Sequence, residues 1–435
     1  MTTIRLAATA TLLLAPAPLA AQVVQASARG AGMADAYGAL ARGAAAAFYN
    51  PALLGLRDNP GFTLLLPSAS VTGGAGPITL RDYRDYQGLV VPDAVKREWL
   101  NRIPAGGTQN SDAVADIGAF GLQAGPFAIT AGAVGNAEVG LPRGAVDLFL
   151  FGNVDSLGRP RDVTFQNGRA EGYGIGFVAA SLGIPVWTRG KGDAQERVSI
   201  GVTGRWVGGG GMFNLWSVNG GISASPIQGT LTFPTAIVYK QGGGLAGQGV
   251  GVDVGLAWQS KSLVLAVAAT DAYNSFRWDA TARRIVNGRA FFSADSTRDN
   301  TTEVALSDPS IPAALRDSAT RRIDDAIFKP SFRASLAWTP SRKLAITGDL
   351  LRRTATGDNL QAGVRTVLSG GVEYRLIGFL PVRGGVAVMD GGTLWTVGTG
   401  LELGVVNVNV AYGQRRGDLG RAERVAVGVA FGNGR

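Results

Sequence analysis

The chain has 435 residues, 64 of them glycine and none cysteine or histidine, and a formal charge of +9. Without cysteine there is no disulfide framework and no thiolate zinc site. Without histidine the Ser-His-Asp and Cys-His machines and imidazole metal sites are excluded; carboxylate or lysine chemistry stays open, but no catalytic residue, metal ligand or cofactor is assigned and the chain is read as a non-enzyme. No dense Lys/Arg run interleaved with aromatics occurs, which argues against a nucleic-acid partner. The scattered arginines read first as solvated loop surface, with attraction to acidic lipid headgroups or an anionic cargo as the functional alternative.

Met1–Ala21 couples a basic start at Arg5 to an apolar core, Leu6–Leu14, and ends in small residues. This is the pattern of a secretion signal cleaved after Ala21. Its core is too short to anchor in a bilayer, and no later apolar run reaches about 18 residues. The expected mature protein is therefore either soluble or a β-barrel. Next comes Ser27–Leu56, rich in small residues, interrupted by glycine and ending in Asn50-Pro51-Ala52. Residues 22–60 are read as an N-terminal hatch that folds into the mouth of a barrel formed by 61–435.

From residue 61 onward short alternating stretches dominate. Val250, Val252, Val254, Leu256 and Trp258 share one face, opposite Gly251, Asp253, Gly255, Ala257 and Gln259. The same two-residue period recurs in 198–207, 332–339, 395–403 and 406–412, and successive strand side chains point to opposite faces. Strands are expected near 61–71, 114–124, 126–138, 169–182, 197–208, 215–225, 229–240, 249–259, 262–271, 329–339, 343–352, 366–376, 380–389, 393–404, 405–412 and 422–431. Trp206, Trp258, Trp338, Trp395 and Tyr412 lie on the apolar face near strand ends, as in an interfacial aromatic girdle. Arg205, Asp253, Arg333, Asp349, Glu373, Arg375, Arg383 and Glu402 recur on the other face, as in a wet lumen. Both features favour a transmembrane antiparallel barrel over a soluble sandwich.

Long loops are expected at 78–113, 139–168 and 272–328. The first holds PDAVKREWLNRIP, a short helix opened by Pro92-Asp93; the second holds PRGAVDLFLFGN; the third is the longest and most polar, with a helix-like IPAALRDSATRRID. The first two helices are either a lid over a cargo entrance or a cap that seals its own apolar faces. Gly242-x-Gly244-x-x-Gly247 matches a dinucleotide fingerprint literally but precedes a strand, so it reads as a loop. Asp324-Asp325 lacks the regular ligand spacing of a calcium loop. The last stretch alternates Val425, Val427, Val429 and Phe431 with Ala426, Gly428 and Ala430, as a lipid-facing closing strand would.

One segment carries a family resemblance. Ser27, Ala28, Arg29, Gly32, Met33, Ala36 and Ala39, followed by Phe48, Tyr49, Asn50, Pro51 and Ala52, resemble the N-terminal hatch of FadL-like outer-membrane transporters of fatty acids and other hydrophobic compounds. REWLNRIPAGG at 97–107 resembles a loop helix of related barrels, including the outer-membrane shuttles of type IX secretion. The resemblance implies a barrel of about 14 strands, fewer than the stretches marked above, with the hatch inside its lumen. It also implies Arg29, Gly32, Met33 and Phe48–Ala52 as gate residues, the outer membrane of a Gram-negative-type bacterium as the location, and outer-membrane lipids and a hydrophobic ligand as partners. The alternative is a scaffold or shuttle for a secreted protein partner.

Overall fold

The computed structural model describes residues 27–153, 155, 157, 159–191, 195–224, 227–293, 297–354, 366–417 and 420–432. Residues 1–21, expected to be a secretion signal, and residues 22–26 lie outside the described residues. The chain folds into a closed antiparallel barrel of 14 wall strands with five further strands outside the wall. The wall begins with β1 (Phe62–Leu65) and β2 (Ser68–Gly76), which together make one broken strand. It continues through β3 (Thr108–Ala124), β4 (Phe127–Pro142), β5 (Val163–Arg189) and β6 (Glu196–Ala224). Beyond β7 (Ile227–Val238) it resumes with β8 (Gly247–Gln259) and β9 (Leu263–Asn274). After β10 (Arg277–Trp278), β11 (Arg283–Ser293), β12 (Thr297–Asp299) and β13 (Thr302–Ala305) come β14 (Ser331–Ser341), β15 (Leu344–Arg353) and β16 (Thr366–Ile377). The last wall strands are β17 (Leu380–Met389), β18 (Gly392–Leu403), β19 (Val406–Gly417) and β20 (Gly420–Gly432). β20 pairs with β19 on one side and with β1 and β2 on the other, so the sheet has no open edge within the wall.

The alternation that marks the strands is the alternation of the wall. Val250, Val254 and Leu256 face outward and are exposed, while Asp253, Ala257 and Gln259 are buried inward. Exposed Val, Leu and Ile side chains recur on the outward face of β14–β20. Such a band is stable against lipid hydrocarbon and unfavourable against water. Phe62, Phe127, Trp187 and Trp338 are exposed near one end of their strands. That end is closed by short connections such as Gly404–Val405 between β18 and β19. No helix among the described residues is long and apolar enough to cross a membrane.

Two of the expected stretches explain the excess over 14. Residues 197–208 and 215–225 are one strand, β6, long enough to pair with β8 along its first half and with β7 along its second. Residues 229–240 are β7, which leaves the wall: it pairs with the second half of β6 on one side and with β11 on the other.

The long-loop rim is more structured than its polarity suggests. Residues 272–328, expected as a polar loop with one helix, hold β10–β13 and the helix Ala313–Asp325. β11 pairs with β7 from Arg283 to Ser293. Arg283, Arg284 and Arg289 mask its strand pattern. Phe276, Trp278, Ile285 and Ile323 are fully buried where this unit packs on β6–β8. The other two loop boundaries shift as well: β3 already starts at Thr108, β4 runs to Pro142 and β5 starts at Val163. In chain order the helices are α1 (Ala28–Ala31), α2 (Ala46–Tyr49), α3 (Leu80–Asp85), α4 (Asp93–Arg102), α5 (Arg143–Phe151) and α6 (Ala313–Asp325). α4 follows Pro92 and buries Trp99 and Leu100 against Ile78, Ile103 and Val146, so α3–α5 share one small core at this rim.

Candidate functional site

Residues 27–56 occupy the interior of the ring. Nearly all are buried, and they touch inward-facing side chains of strands on both sides of the barrel. Among the described residues, no backbone–backbone hydrogen bond joins this segment to a wall strand; its backbone bonds are local turns. Attachment is therefore made by side chains and by close packing on glycine.

The segment has two seats. In the first, Asn50-Pro51-Ala52 lies across Gly183, Gly201 and Gly255, which stand in cross-strand register on β5, β6 and β8. A Cβ on Gly255 would come within 1.9 Å of Asn50 Oδ1, one on Gly201 within 2.3 Å of Ala52 N, and one on Gly183 within 2.2 Å of the Pro51 carbonyl oxygen. Only glycine permits that approach. Asn50 Nδ2 donates to the carbonyls of Leu256 (3.3 Å) and Val267 (3.0 Å), cross-strand partners on β8 and β9, while its Oδ1 accepts from Ala52 N–H at 2.9 Å. One side chain thus ties two wall strands to a turn whose φ Pro51 fixes. Phe48 packs edge-on against Phe177 of β5, with ring centroids 6.3 Å apart.

In the second seat, across the barrel, Met33 and Ala34 lie over Gly371 and Gly385, which pair on β16 and β17. Ala34 N–H donates to Thr396 Oγ1 at 2.8 Å. Gly32 stacks on Gly398. Among the inward glycines, Gly255 and Gly398 take the segment. Gly251 faces Arg205 and Asp271, and Gly400 faces Asn409 and Arg383.

All eight sequence-marked charges face inward, and they divide by partner. Arg205 pairs within the wall, with Asp253 (2.8 Å) and Asp271 (2.6 Å). Glu373 takes Arg29 of the N-terminal segment bidentately (2.8 and 2.7 Å) and also Arg383 (2.6 Å). Arg375 bridges Glu373 and Glu402 at 3.8 and 3.2 Å. Arg333 holds Asp349 at 2.6 Å, and Asp349 in turn accepts from Gly38 N–H at 2.9 Å. The Arg333 guanidinium also lies over the Tyr49 ring, 5.4 Å from its centroid. Charge-assisted bonds of this kind are strong where water is scarce.

Sequence reasoning passed over Asp35, Arg424, Asp112, Asp116 and Arg415. Arg424 binds Asp35 through both terminal nitrogens, and Arg415 binds Asp112 at 3.1 Å. Arg424 shares a strand face with Ala426 and Gly428, so extending the alternation of β20 by one step would have marked it inward. Of the weaker motifs, Gly242–Gly247 forms the turn leading into β8, and Asp324 is engaged by Arg283 at 2.8 Å.

Between the second seat and the wall lies a cavity of about 20 Å³, room for about one water molecule. Its polar side is Asp35, Arg333, Asp349 and Ser369; its apolar side includes Leu351, Val367, Met389 and Leu394, toward the long-loop rim.

No family model matches the chain, and no curated protein matches it. Among solved structures it is similar to a crystal structure of a Pseudomonas aeruginosa FadL homologue, at 12% identity over 96% of this chain and 100% of that one, with a TM-score of 0.47. It is also similar to the P. putida toluene transporter TodX, at 11% identity over 92% and 96% of the two chains, with a TM-score of 0.47. A third similar structure is the CymD monoaromatic hydrocarbon channel, at 13% identity over 95% and 100%, with a TM-score of 0.49.

Proposed function

We propose that the protein sits in the outer membrane of a Gram-negative-type bacterium and passes hydrophobic small molecules, with fatty acids among them, through the barrel. Residues 27–56 act as the hatch, and Arg29, Gly32, Met33 and Phe48–Ala52 form its gate. The observation that carries this reading is the mode of attachment of the segment. It fills the lumen of a closed barrel, yet only side chains and glycine contacts hold it. Such a stopper shifts without breaking the wall's hydrogen-bond ladder. The wall keeps its own ion pairs at Arg205–Asp253 and Arg415–Asp112 when the hatch leaves.

The test is uptake by cells lacking other routes for hydrophobic compounds. Expression of the chain is expected to raise uptake of radiolabelled laurate or an alkane. Deleting Ser27–Ala52 is expected to alter that uptake while the barrel keeps its heat-modifiable migration in SDS gels. Uptake that is the same with the chain, without it and with the deletion overturns the proposal.

A further inference from the structure

β19 and β20 carry four arginines, and their partners separate them. Arg415 and Arg424 point inward and bind Asp112 and Asp35. Arg416 and Arg421 point outward and stand directly opposite each other in the β19–β20 register, at the long-loop end. Like charges directly opposite, with Cβ atoms about 5 Å apart, destabilise a strand pair. Arg416 Nη2 makes one long bond, 3.4 Å, to Gln414 Oε1. Among the described residues neither guanidinium meets a carboxylate. Glu423, two residues along the same face as Arg421, is taken by Arg84 of α3 at 2.5 Å, and Asp85 is held by Arg81 at 3.6 Å. Asp418, in the connection between the two strands, lies outside the described residues. The pair belongs to the lipid-facing side of the wall. One row below it on this face come Trp395 and Gln414, and below those Tyr412. Such rows repeat about every 7 Å along a strand. The rings of Trp395 and Tyr412 meet edge to face, with centroids 5.8 Å apart, and Val410, Val425 and Val427 continue exposed beneath them. Aromatic rings on a lipid-facing wall mark the headgroup level, so charges one row beyond them stand where lipid phosphates lie.

We propose that Arg416 and Arg421 together bind the phosphate of a phosphomonoester lipid of the outer leaflet, whose acyl chains run down the outside of β19 and β20 over Tyr412, Val410, Val425 and Val427. A phosphomonoester carries a charge of about −1.5 to −2 near neutral pH, so one such group offsets both arginines, which a single carboxylate does not. The guanidinium fork matches phosphate oxygens in paired hydrogen bonds. The bound phosphate turns a repulsive cross-strand pair into an attractive one at the end of the β19–β20 ladder. A lipid also brings apolar chains to the exposed valines, which a free phosphate cannot. The proposal rests on the outer-membrane placement above and not on transport.

Native mass spectrometry of the purified full chain in an uncharged detergent, with diphosphoryl lipid A added, reads the site. The unaltered protein is expected to retain one lipid per barrel. It should bind that lipid about tenfold more tightly than the double variant Arg416→Gln, Arg421→Gln, as loss of charge-assisted bonds implies. The double variant Arg342→Gln, Lys343→Gln removes the same charge from an exposed turn at the opposite rim and is expected to bind as the unaltered protein does. Lipid A stripped of its phosphates is expected to bind the unaltered protein no better than it binds the arginine variant, and inorganic phosphate at equal concentration not to displace the intact lipid. Equal losses in the two double variants, binding indifferent to the lipid's phosphates, or displacement by inorganic phosphate overturns the proposal. Comparing intact with stripped lipid needs only the unaltered protein, so it decides the matter even if the arginine variant folds poorly. Failed binding by protein found in outer-membrane fractions sinks the site alone, whereas absence from those fractions sinks the placement whatever the binding shows.

Discussion

Gly255 is the residue on which the first seat depends most sharply. An alanine there would bring its Cβ within 1.9 Å of Asn50 Oδ1, backed by Ala52. Asn50 cannot yield without losing the carbonyls of Leu256 and Val267. Gly255→Ala is therefore expected to destabilise the barrel by about 1–3 kcal/mol, the range for forcing extra volume into a packed interior. Gly378→Ala, with nothing within 4 Å of the added carbon, serves as the neutral control. Urea titration of the purified pair, read by heat-modifiable gel migration, checks this; equal midpoints would show that the seat is loose. Asn50→Ala removes both carbonyl contacts and is expected to cost about 1–3 kcal/mol in the same assay. At this scale the sequence was informative about parity and silent about partners. That Arg333, Asp349 and Glu373 point inward follows from alternation. That Glu373 meets Arg29, 344 residues away, does not, because nothing local in either stretch encodes which lumen charge it will face. Asp35 shows the limit most clearly: it lies inside the hatch motif at an unspecified position, and its meaning comes from Arg424 at the far end of the chain.

Among the elements, the helices at the long-loop rim hold one another. Thr79 caps α3, accepting from Asp82 N–H and donating its hydroxyl to the Asp82 carboxylate, which also receives the Thr79 N–H. Arg102 at the end of α4 binds both oxygens of Asp82 at 2.9 Å. Burial pushes the Asp82 carboxyl up, but the Thr79 bonds and then Arg102 outweigh it, so its pKa lies below the ordinary carboxylate value. A depressed carboxylate contributes stability that is fully present above its unfolded value of about 3.9 and is lost as pH falls through the folded one. The α3–α4 unit is thus expected to stay closed at neutral pH and to loosen in acid, below about pH 4. Asp82→Asn should loosen it at pH 7. Hydrogen exchange of peptides covering 80–103 measures both; protection unchanged at pH 3 and in the variant would show that the apolar core of Trp99, Leu100 and Val146 suffices. Pro92-Asp93 made α4 legible in advance, since proline ahead of a first-turn acid is a helix-start signal. The β7–β11 pairing was not legible, because Arg283, Arg284 and Arg289 break the apolar alternation of a strand that pairs outside the wall and needs no lipid-facing side.

For the molecule as a whole, the question is whether the N-terminal segment must move as a body. Its first half is held by charges, Arg29 to Glu373 and Asp35 to Arg424, and by packing on Gly371, Gly385 and Gly398, while its second half is held by the groove of Gly183, Gly201 and Gly255 and by Asn50. If transport needs the first half to leave its seat, a covalent tie there should block it without disturbing the fold. Ala28 and Gly428 suit such a tie, because a Cβ built on Gly428 lies 3.7 Å from the Ala28 Cβ, close to the spacing of about 3.8 Å that a disulfide requires; the Ser68 Cβ, 3.1 Å from it, has to give way slightly. In a chain without native cysteine the pair Ala28→Cys and Gly428→Cys can form only this one internal bond. Oxidised protein is expected to lose uptake of the hydrophobic probe, and reduction to restore it in the same cells, which separates locking from misfolding. Uptake that persists in fully oxidised protein would mean that Ser27–Ala31 stays in place during transport. Any opening would then lie in the second half, between Phe48 and the groove formed by Gly183, Gly201 and Gly255.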